Sequence, residues 1–377
     1  MLKFLHTADW QMGRQYGRFA PEDAAVLAEA RFSTIERIAA LAASQAVDAV
    51  LVAGDVFDAQ TVSDRTIRRV FNAMQGFGGP WVLIPGNHDA ALAESVWTRA
   101  ARLDAVPANV HLLLQPGIFP FESLGFAVLA APLTQRQTHA DLTDWFDAAR
   151  TDPGLVRVGI AHGSVQGLLA DDVDSSNPIA PDRARRARLD YLALGDWHGM
   201  KSVDERTWYS GTPEYERFKD NGAGQVLIVE CEGDGAVPVV TPYPVSQFRW
   251  VSWHEDLSVA TDLERLLGRL SSLKADQVVD LSLSGQIDLA GDLRLRQALS
   301  VAQGQCRSLQ CDRGDLRLIP TDEDMAALRA DGYLATVIAE LRERQEAPDP
   351  ESAGIAREAL ALMAGFLRDR DDSGEEA

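Results

Sequence analysis

The chain has 377 residues, 46% of them hydrophobic, and a formal net charge of −20. That size and apolar content exclude a disordered tail or a disulfide-stapled miniature and allow one large core plus a smaller appended domain. The acidity excludes tight unaided binding to nucleic acid, because basic side chains neutralising phosphate supply most sequence-independent affinity. Bound divalent cations, and a Debye length of ~8 Å, keep a nucleic-acid substrate open.

Cys231, Cys306 and Cys311 are too few for a disulfide framework, so they are expected to be reduced packing residues in a cytoplasmic protein. No run approaches the ~20 apolar residues of a membrane span, and no secretory leader or membrane association is expected.

In chain order, residues 2–5 form a β-like run ending at Ala8-Asp9-Trp10-Gln11. A helical stretch follows, with Ile35, Ile38 and Leu41 or Ala42 on one face. Residues 49–52 form the second run, ending at Gly54-Asp55-Val-Phe-Asp58. Ser63 then caps a helix carrying Ile67, Val70, Phe71 and Met74 at helical spacing.

The third run, 81–84, ends at Gly86-Asn87-His88-Asp89; the fourth, 156–160, at Ala161-His162-Gly163; the fifth, 191–194, at Gly195-Asp196-Trp197-His198. Further strands are expected at 110–114, 126–130, 207–210 and 225–230, with turns at Gly117, Gly125, Gly211 and 222–224. Alternating strands and helices imply an α/β layered domain, and so many strands suit two face-to-face sheets.

The texture changes near Tyr243-Pro244. The expected organisation is a main domain over 1–243, a small α/β domain over 244–320 and a helical acidic tail over 321–377. The small domain takes strands at 248–253, 278–283 and 316–319 and helices at 259–270 and 289–301. In the tail, Thr321 is expected to cap a helix opening on Asp322-Glu-Asp324. Stripes of Leu334, Val337, Ile338, Leu341 and of Leu360, Met363, Leu367 pack on the chain itself or on a partner helix. Residues 371–377 are expected to be disordered.

Hydrolysing a phosphoester at neutral pH needs a water made nucleophilic and a transition-state charge neutralised, which two metals ~3.5–4 Å apart can provide. Asp55, after Gly54, is the candidate bridging carboxylate. Asp9 and His198, with Gln11, would complete one metal; Asn87, His162 and Asp196 the other. His88 would act as general acid or transition-state stabiliser. Asp58, with Asp89, would orient its neighbours by hydrogen bonds. His6, His111, His139 and His254 are expected to be satisfied core residues.

With these motifs in place, the chain resembles the calcineurin-like metallophosphoesterases, and within them the SbcD-type DNA repair exonucleases. The closer likeness rests on His6-Thr-Ala-Asp9-Trp10, Ala161-His162-Gly-Ser-Val165, the segment from Asp190 to His198, and Tyr209-Ser-Gly-Thr-Pro213. It implies a four-layer α/β/β/α sandwich with a smaller α/β capping domain, two manganese ions, cleavage of DNA phosphodiesters and an SMC-like ATPase partner. Two positions depart from the family pattern: Gln11 stands where it has the histidine of Asp-x-His, and Asp196 where it has the first histidine of Gly-His-x-His. The shift from imidazole towards oxygen donors favours Mn²⁺ or Mg²⁺ over Zn²⁺.

Arg183, Arg185, Arg186 and Arg188 form the densest basic run and are candidates for DNA backbone contacts; a solvated helix face is the alternative. Arg65, Arg68 and Arg69 form a sparser group. Trp10 and Trp197 either pack the site wall or stack a base. The expected function is a metal-dependent DNA exonuclease or endonuclease working in repair with an SMC-like ATPase, with a homodimer among its expected assemblies. A small-molecule phosphodiesterase or phosphatase, and a metal-poor regulatory scaffold for an ATPase, are the alternatives.

Overall fold

The computed structural model of the chain describes residues 1–167, 176–233, 235–321 and 332–371, with side chains except those of 361 and 363–371. Two compact units emerge: Met1–Glu216 with Asp220–Phe248, and Arg217–Lys219 with Arg249–Ala377.

The first unit opens with β1 (Leu2–Thr7), α1 (Pro21–Ser44), β2 (Ala49–Ala53), α2 (Asp64–Ala73), β3 (Trp81–Ile84), α3 (Val96–Arg102), β4 (Val110–Leu112), β5 (Gly117–Phe121) and β6 (Phe126–Ala131). It continues with β7 (Val156–His162), β8 (Ser164–Val165), β9 (Pro178–Ile179), α4 (Arg183–Arg186), β10 (Tyr191–Gly195), β11 (Lys201–Ser202), β12 (Thr207–Tyr209), β13 (Gln225–Cys231) and β14 (Val239–Pro244). Two sheets result, with strand orders β14-β13-β1-β2-β3-β4 and β11-β12-β10-β7-β6-β5. β1 to β4 are parallel, as are β6, β7, β10 and β12. Antiparallel strands flank both sets.

Hydrophobic contacts divide the unit into four layers. Ile35, Ile38, Ile67, Val70 and Phe71 of α1 and α2 pack on Leu5, Val50, Val52 and Leu83. On the opposite face of that sheet, Phe4, Leu51, Val82 and Ile84 meet Phe126, Val128, Ile160 and Tyr191 of the second sheet. Beyond the second sheet, Phe146, Ala184 and Ala187 cover Leu129, Leu192 and Leu194. The unit is therefore an α/β/β/α sandwich. β2 and β3 are buried along their whole length, which is why they are continuous apolar runs and not alternating ones. Ser63 caps α2 as expected, accepting from the Thr66 N–H at 3.1 Å.

Besides the two-residue strands β8, β9 and β11, which were not expected, two longer strands depart from the expected elements. Gly117, expected in a turn, begins β5, and β14 lies where none was expected. Both contain proline, and both are edge strands of their sheets, where a missing N–H is tolerated.

The second unit holds β15 (Arg249–Leu257), α5 (Ala260–Ser271), β16 (Gln277–Ile287), α6 (Leu289–Gln305) and β17 (Ser308–Leu318). Its three strands are parallel, in the order β15-β16-β17. Helices Tyr333–Arg344 and Pro350–Asp371 belong to the same unit, burying Ile338 and Leu360 in its core and packing Leu334 and Leu341 against it. Those four residues of the tail stripes are thus used within the unit, while the side chains of Met363 and Leu367 lie outside the described ones. The expected cap on residues 322–324, and the expected disorder beyond Asp371, lie outside the described residues. The three cysteines are free. No helix among the described residues is long and apolar enough to cross a membrane.

His6 of β1 is a polar link between the two sheets. Its Nε2 lies 3.2 Å from the Leu194 carbonyl and its Nδ1 2.8 Å from the Tyr191 hydroxyl. A carbonyl only accepts, so Nε2 carries the proton and Nδ1 accepts from the tyrosine. Accepting from Tyr191 needs the neutral ring, and burial pushes the imidazole from 6.5 down to about 3 although the bond to the Leu194 carbonyl opposes the shift. The other histidines expected in the core are not there: His111, His139 and His254 are exposed.

Between pH 6.5 and about 3 the unfolded chain binds a proton at His6 that the folded chain does not. Stability from this group is intact above the higher value and falls by ~1.4 kcal/mol per pH unit below it. Urea unfolding of His6→Phe between pH 5 and 7 should therefore show a shallower loss of stability on acidification than the parent chain. Parallel slopes would refute the neutral buried ring.

Candidate metal centre

The five motif strands deliver their terminal residues to one place. Asp9 and Gln11 follow β1, Asp55 follows β2, and Asn87 and His88 follow β3. His162 ends β7, and Asp196 follows β10. Among the described residues, Asp9, Asp55 and His162 offer ligand atoms all within 4.8 Å of one another, and all three are buried. His162 Nε2 lies 3.6 Å from Asp55 Oδ1, 3.7 Å from Asp196 Oδ1 and 3.1 Å from Asn87 Oδ1.

The backbone is forced to serve this convergence. Asp9, Gln11, Asp55 and Asp196 have φ of 55°, 48°, 53° and 99°, in the left-handed region that costs an L-residue about 1–2 kcal/mol. Asp9 N–H donates to the Gly54 carbonyl and Gln11 N–H to that of Asp55, both at 3.0 Å, so the two loops hold each other in this form. Glycine is required at two positions: a Cβ on Gly54 would lie 2.3 Å from His162 Nδ1, and one on Gly86 2.2 Å from Asp55 Oδ1.

The charges are crowded. Burial, reinforced by Asp55 and Asp196, outweighs the nearby imidazoles and pushes the Asp9 carboxyl up to about 6. Burial raises Asp196 as well, with Asp55 adding to it. Burial alone would lower His162, but the carboxylates of Asp55, Asp9 and Asp196 raise it to about 9. A pocket this rich in carboxylate is stabilised by a cation. Gln11 supplies a further sign: its Nε2 donates to Asp55 Oδ2 at 2.7 Å, while its Oε1 is buried with no hydrogen-bond partner. Buried orphan acceptors are rare. An unpartnered carbonyl oxygen on the amide that bonds Asp55 fits a divalent metal taking oxygen and nitrogen donors.

The surrounding groups set ring orientations. His162 Nδ1 is 2.8 Å from the Ala53 carbonyl and His88 Nδ1 is 2.7 Å from the Asp58 carbonyl. Each Nδ1 therefore donates, leaving Nε2 towards the site. His88 Nε2 lies 4.0 Å from Asp55 Oδ2 on a side chain that is 41% exposed. The Asp58 carboxylate pairs with Arg14 at 3.2 Å. Asp89 is buried, accepting from Gly86 N–H at 2.7 Å and Phe57 N–H at 3.1 Å; burial and Asp55 push it up to about 7.

Sequence reasoning passed over Glu216. Its Oε1 is 2.5 Å from His198 Nδ1, and its Oε2 lies 3.1 Å from Arg14 and 3.6 Å from Arg31. Burial would raise this carboxyl, but the His198 hydrogen bond and the two arginines hold it down at about 2. The signal available was an acid in Pro213-Glu214-Tyr-Glu216, directly after a motif already singled out. Trp10 is 1% exposed and edge-on to Trp81, so it packs the wall and stacks no base.

The basic run is corrected. Arg183 is 1% exposed, with its guanidinium committed to Asp141, Asp144 and Asp147. Arg185 pairs with Asp182, and Arg186 with Asp147 and Asp182. Arg188 is exposed but, like the rest, precedes β10, whereas the candidate ligands Asp196 and His198 follow it. Five residues of strand separate the two ends, roughly 16 Å. Closeness in sequence became distance along a strand. Arg68 and Arg69 are also engaged, with the Leu103 carbonyl and Glu29 respectively.

The sequence profile of the calcineurin-like phosphoesterase family matches residues 2–229. Over 256 residues the chain is 28% identical to the DNA double-strand break repair protein Mre11 of Aeropyrum pernix, covering 63% of this chain and 60% of that protein. It is 25% identical over 278 residues to the SbcD component of the nuclease SbcCD of Bacillus subtilis, covering 61% and 66%. It is 24% identical over 253 residues to the metallophosphoesterase YhaO of the same organism, covering 62% and 58%. The chain thus spans 58% to 66% of the length of these relatives.

Partners that orient a metal-ligating histidine typically contribute 10–100-fold to affinity. Glu216→Gln should weaken Mn²⁺ binding by about that factor in calorimetric titration. Undiminished affinity would show that His198 needs no such support.

Proposed function

Because the chain belongs to the calcineurin-like phosphoesterase family, we propose that it is a metal-dependent nuclease hydrolysing DNA phosphodiester bonds. The observation that carries this reading is the buried convergence of Asp9, Asp55 and His162 beside the orphan Gln11 carbonyl. Asp9, Gln11 and His198 would hold one divalent ion and Asn87, His162 and Asp196 the other, with Asp55 shared. Mn²⁺ is the proposed metal and Mg²⁺ the alternative. When bound, the ions supply a water nucleophilic at neutral pH and neutralise the charge of the phosphoryl transition state.

The protein's own groups do the rest. Donation from Nδ1 to the Asp58 carbonyl fixes the His88 ring and leaves Nε2 open on the exposed side. Protonated there, His88 can donate to the leaving oxygen or to a phosphoryl oxygen. Asp58 acts through its carbonyl, as a positioning residue. Asp89 holds the Gly86 and Phe57 amides, and so the register of the second and third motif loops.

The DNA reading draws support from the names of two relatives, a double-strand break repair protein and a component of a nuclease. A role in repair with an SMC-like ATPase, and homodimerisation, belong to the same proposal. The net charge of −20 favours a second reading, a phosphodiesterase acting on small molecules.

Incubation with Mn²⁺ and single-stranded DNA, double-stranded DNA or bis-p-nitrophenyl phosphate separates these. DNA degradation that disappears with Asp55→Ala is the expected result; cleavage of the small ester alone would overturn it in favour of the second reading. His88→Asn should keep Mn²⁺ binding and lose about 10²–10⁴-fold in turnover.

A further inference from the structure

Resting on the phosphodiesterase reading, we propose that Arg14 binds a phosphate neighbouring the scissile one, and so makes the site prefer a nucleic-acid strand to an isolated diester. Arg14 lies on the loop that carries Asp9 and Gln11, and that loop is rigid. Met12 N–H donates to Val56 at 2.8 Å, Asp58 N–H to Met12 at 3.0 Å, and Arg14 N–H to Gln11 at 3.2 Å. The side chain therefore leaves from a backbone fixed relative to Asp55 and Asp58.

Its guanidinium sits between the supports of two site histidines. Nη1 is 3.2 Å from Asp58 Oδ1 and 3.1 Å from Glu216 Oε2. The carbonyl of that aspartate holds His88, and the other oxygen of that glutamate holds His198. Arg14 is thus beside the reaction centre. Both carboxylates meet the same nitrogen, so one corner of the guanidinium is anchored while Nε and Nη2 bond to no described residue, and the side chain is 25% exposed. An anchored fork with free donors matches a phosphate oxygen pair.

Charge does not forbid this. Glu216 is shared with Arg31 and His198, so it does not cancel Arg14 alone. Arginines at the far strand ends are spent otherwise: Arg157 donates to the Arg188 and Ala187 carbonyls, and Arg206 to those of Asp190, Gly235 and Ala236. A small diester carries one phosphate and, with that phosphate at His88, has no second one to offer Arg14. A strand carries a phosphate every nucleotide and has a neighbouring one to offer.

The test compares the parent chain, Arg14→Met, Arg14→Lys and the exposed control Arg102→Met with Mn²⁺, on a single-stranded oligonucleotide and on bis-p-nitrophenyl phosphate. Arg14→Met should raise KM for the oligonucleotide about tenfold more than for the small diester, the scale of one charged hydrogen-bonded contact. The slope of log KM against log salt should fall by about 0.7, one phosphate contact on a single strand. Arg14→Lys should recover part of the loss, and Arg102→Met none of the effect.

Equal kcat losses on both substrates, accompanied by weaker Mn²⁺ binding, would make Arg14 a clamp for Glu216 and Asp58 and overturn the proposal. An equal rise in KM from Arg102→Met would reduce it to net charge. If the parent chain cleaves neither substrate, the nuclease reading fails on its own. Fluorescence anisotropy of the labelled oligonucleotide in Mn²⁺ still decides: weaker binding by Arg14→Met upholds the contact, and equal binding removes it.

Discussion

Three carboxylates share one buried imidazole at the meeting of two sheets, and the rest of the first unit is arranged around that crowding. Asp55 and Asp196 approach His162 within 3.6 and 3.7 Å. Like charges this close, out of water, repel by several kcal/mol unless protons or cations intervene. The raised carboxyls of Asp9 and Asp196 and the raised imidazole of His162 are what proton sharing looks like in such a pocket. A divalent cation resolves the same conflict without protons. The left-handed conformations of four site residues and the glycines beside His162 and Asp55 are the backbone's contribution to keeping the groups together.

This arrangement explains which parts of the fold were legible in sequence. Strands that feed the site are parallel and covered on both faces, so β2 and β3 appear as uninterrupted apolar runs ending in an acid or a histidine. β5 and β14 carry neither signal. They lie at sheet edges and are only partly covered, and Pro120, Pro242 and Pro244 disguise them as turns. In the second unit, α5 showed its apolar spacing plainly because it buries a single face, carrying Leu263, Leu266 and Leu270.

Side-chain roles were legible where a residue's chemistry is unambiguous and illegible where it depends on the fold. The ligand candidates stood out because acids and histidines at strand ends are costly without a task. Arg183 misled because a guanidinium looks the same in sequence whether it faces phosphate or three aspartates, and the aspartates lie about forty residues upstream in a turn that only the structure brings beside it. Glu216 was hidden for a related reason. Its function is to face His198, and nothing local to its own segment announces that partner.

Gln11 shows how a departure from a family pattern can be absorbed. An imidazole at this position would offer one nitrogen to a metal and one to its support. The amide instead gives its N–H to Asp55 Oδ2 and keeps a carbonyl oxygen for the interior. Tying the N–H to the candidate shared carboxylate restrains its rotation. A neutral carbonyl binds a cation more weakly than imidazole, while Asp196 brings a negative charge that imidazole lacks. Under the proposed ligand sets the two departures offset each other: donor strength lost at the β1 loop is matched by charge gained at the β10 loop, which favours a hard, oxygen-preferring ion.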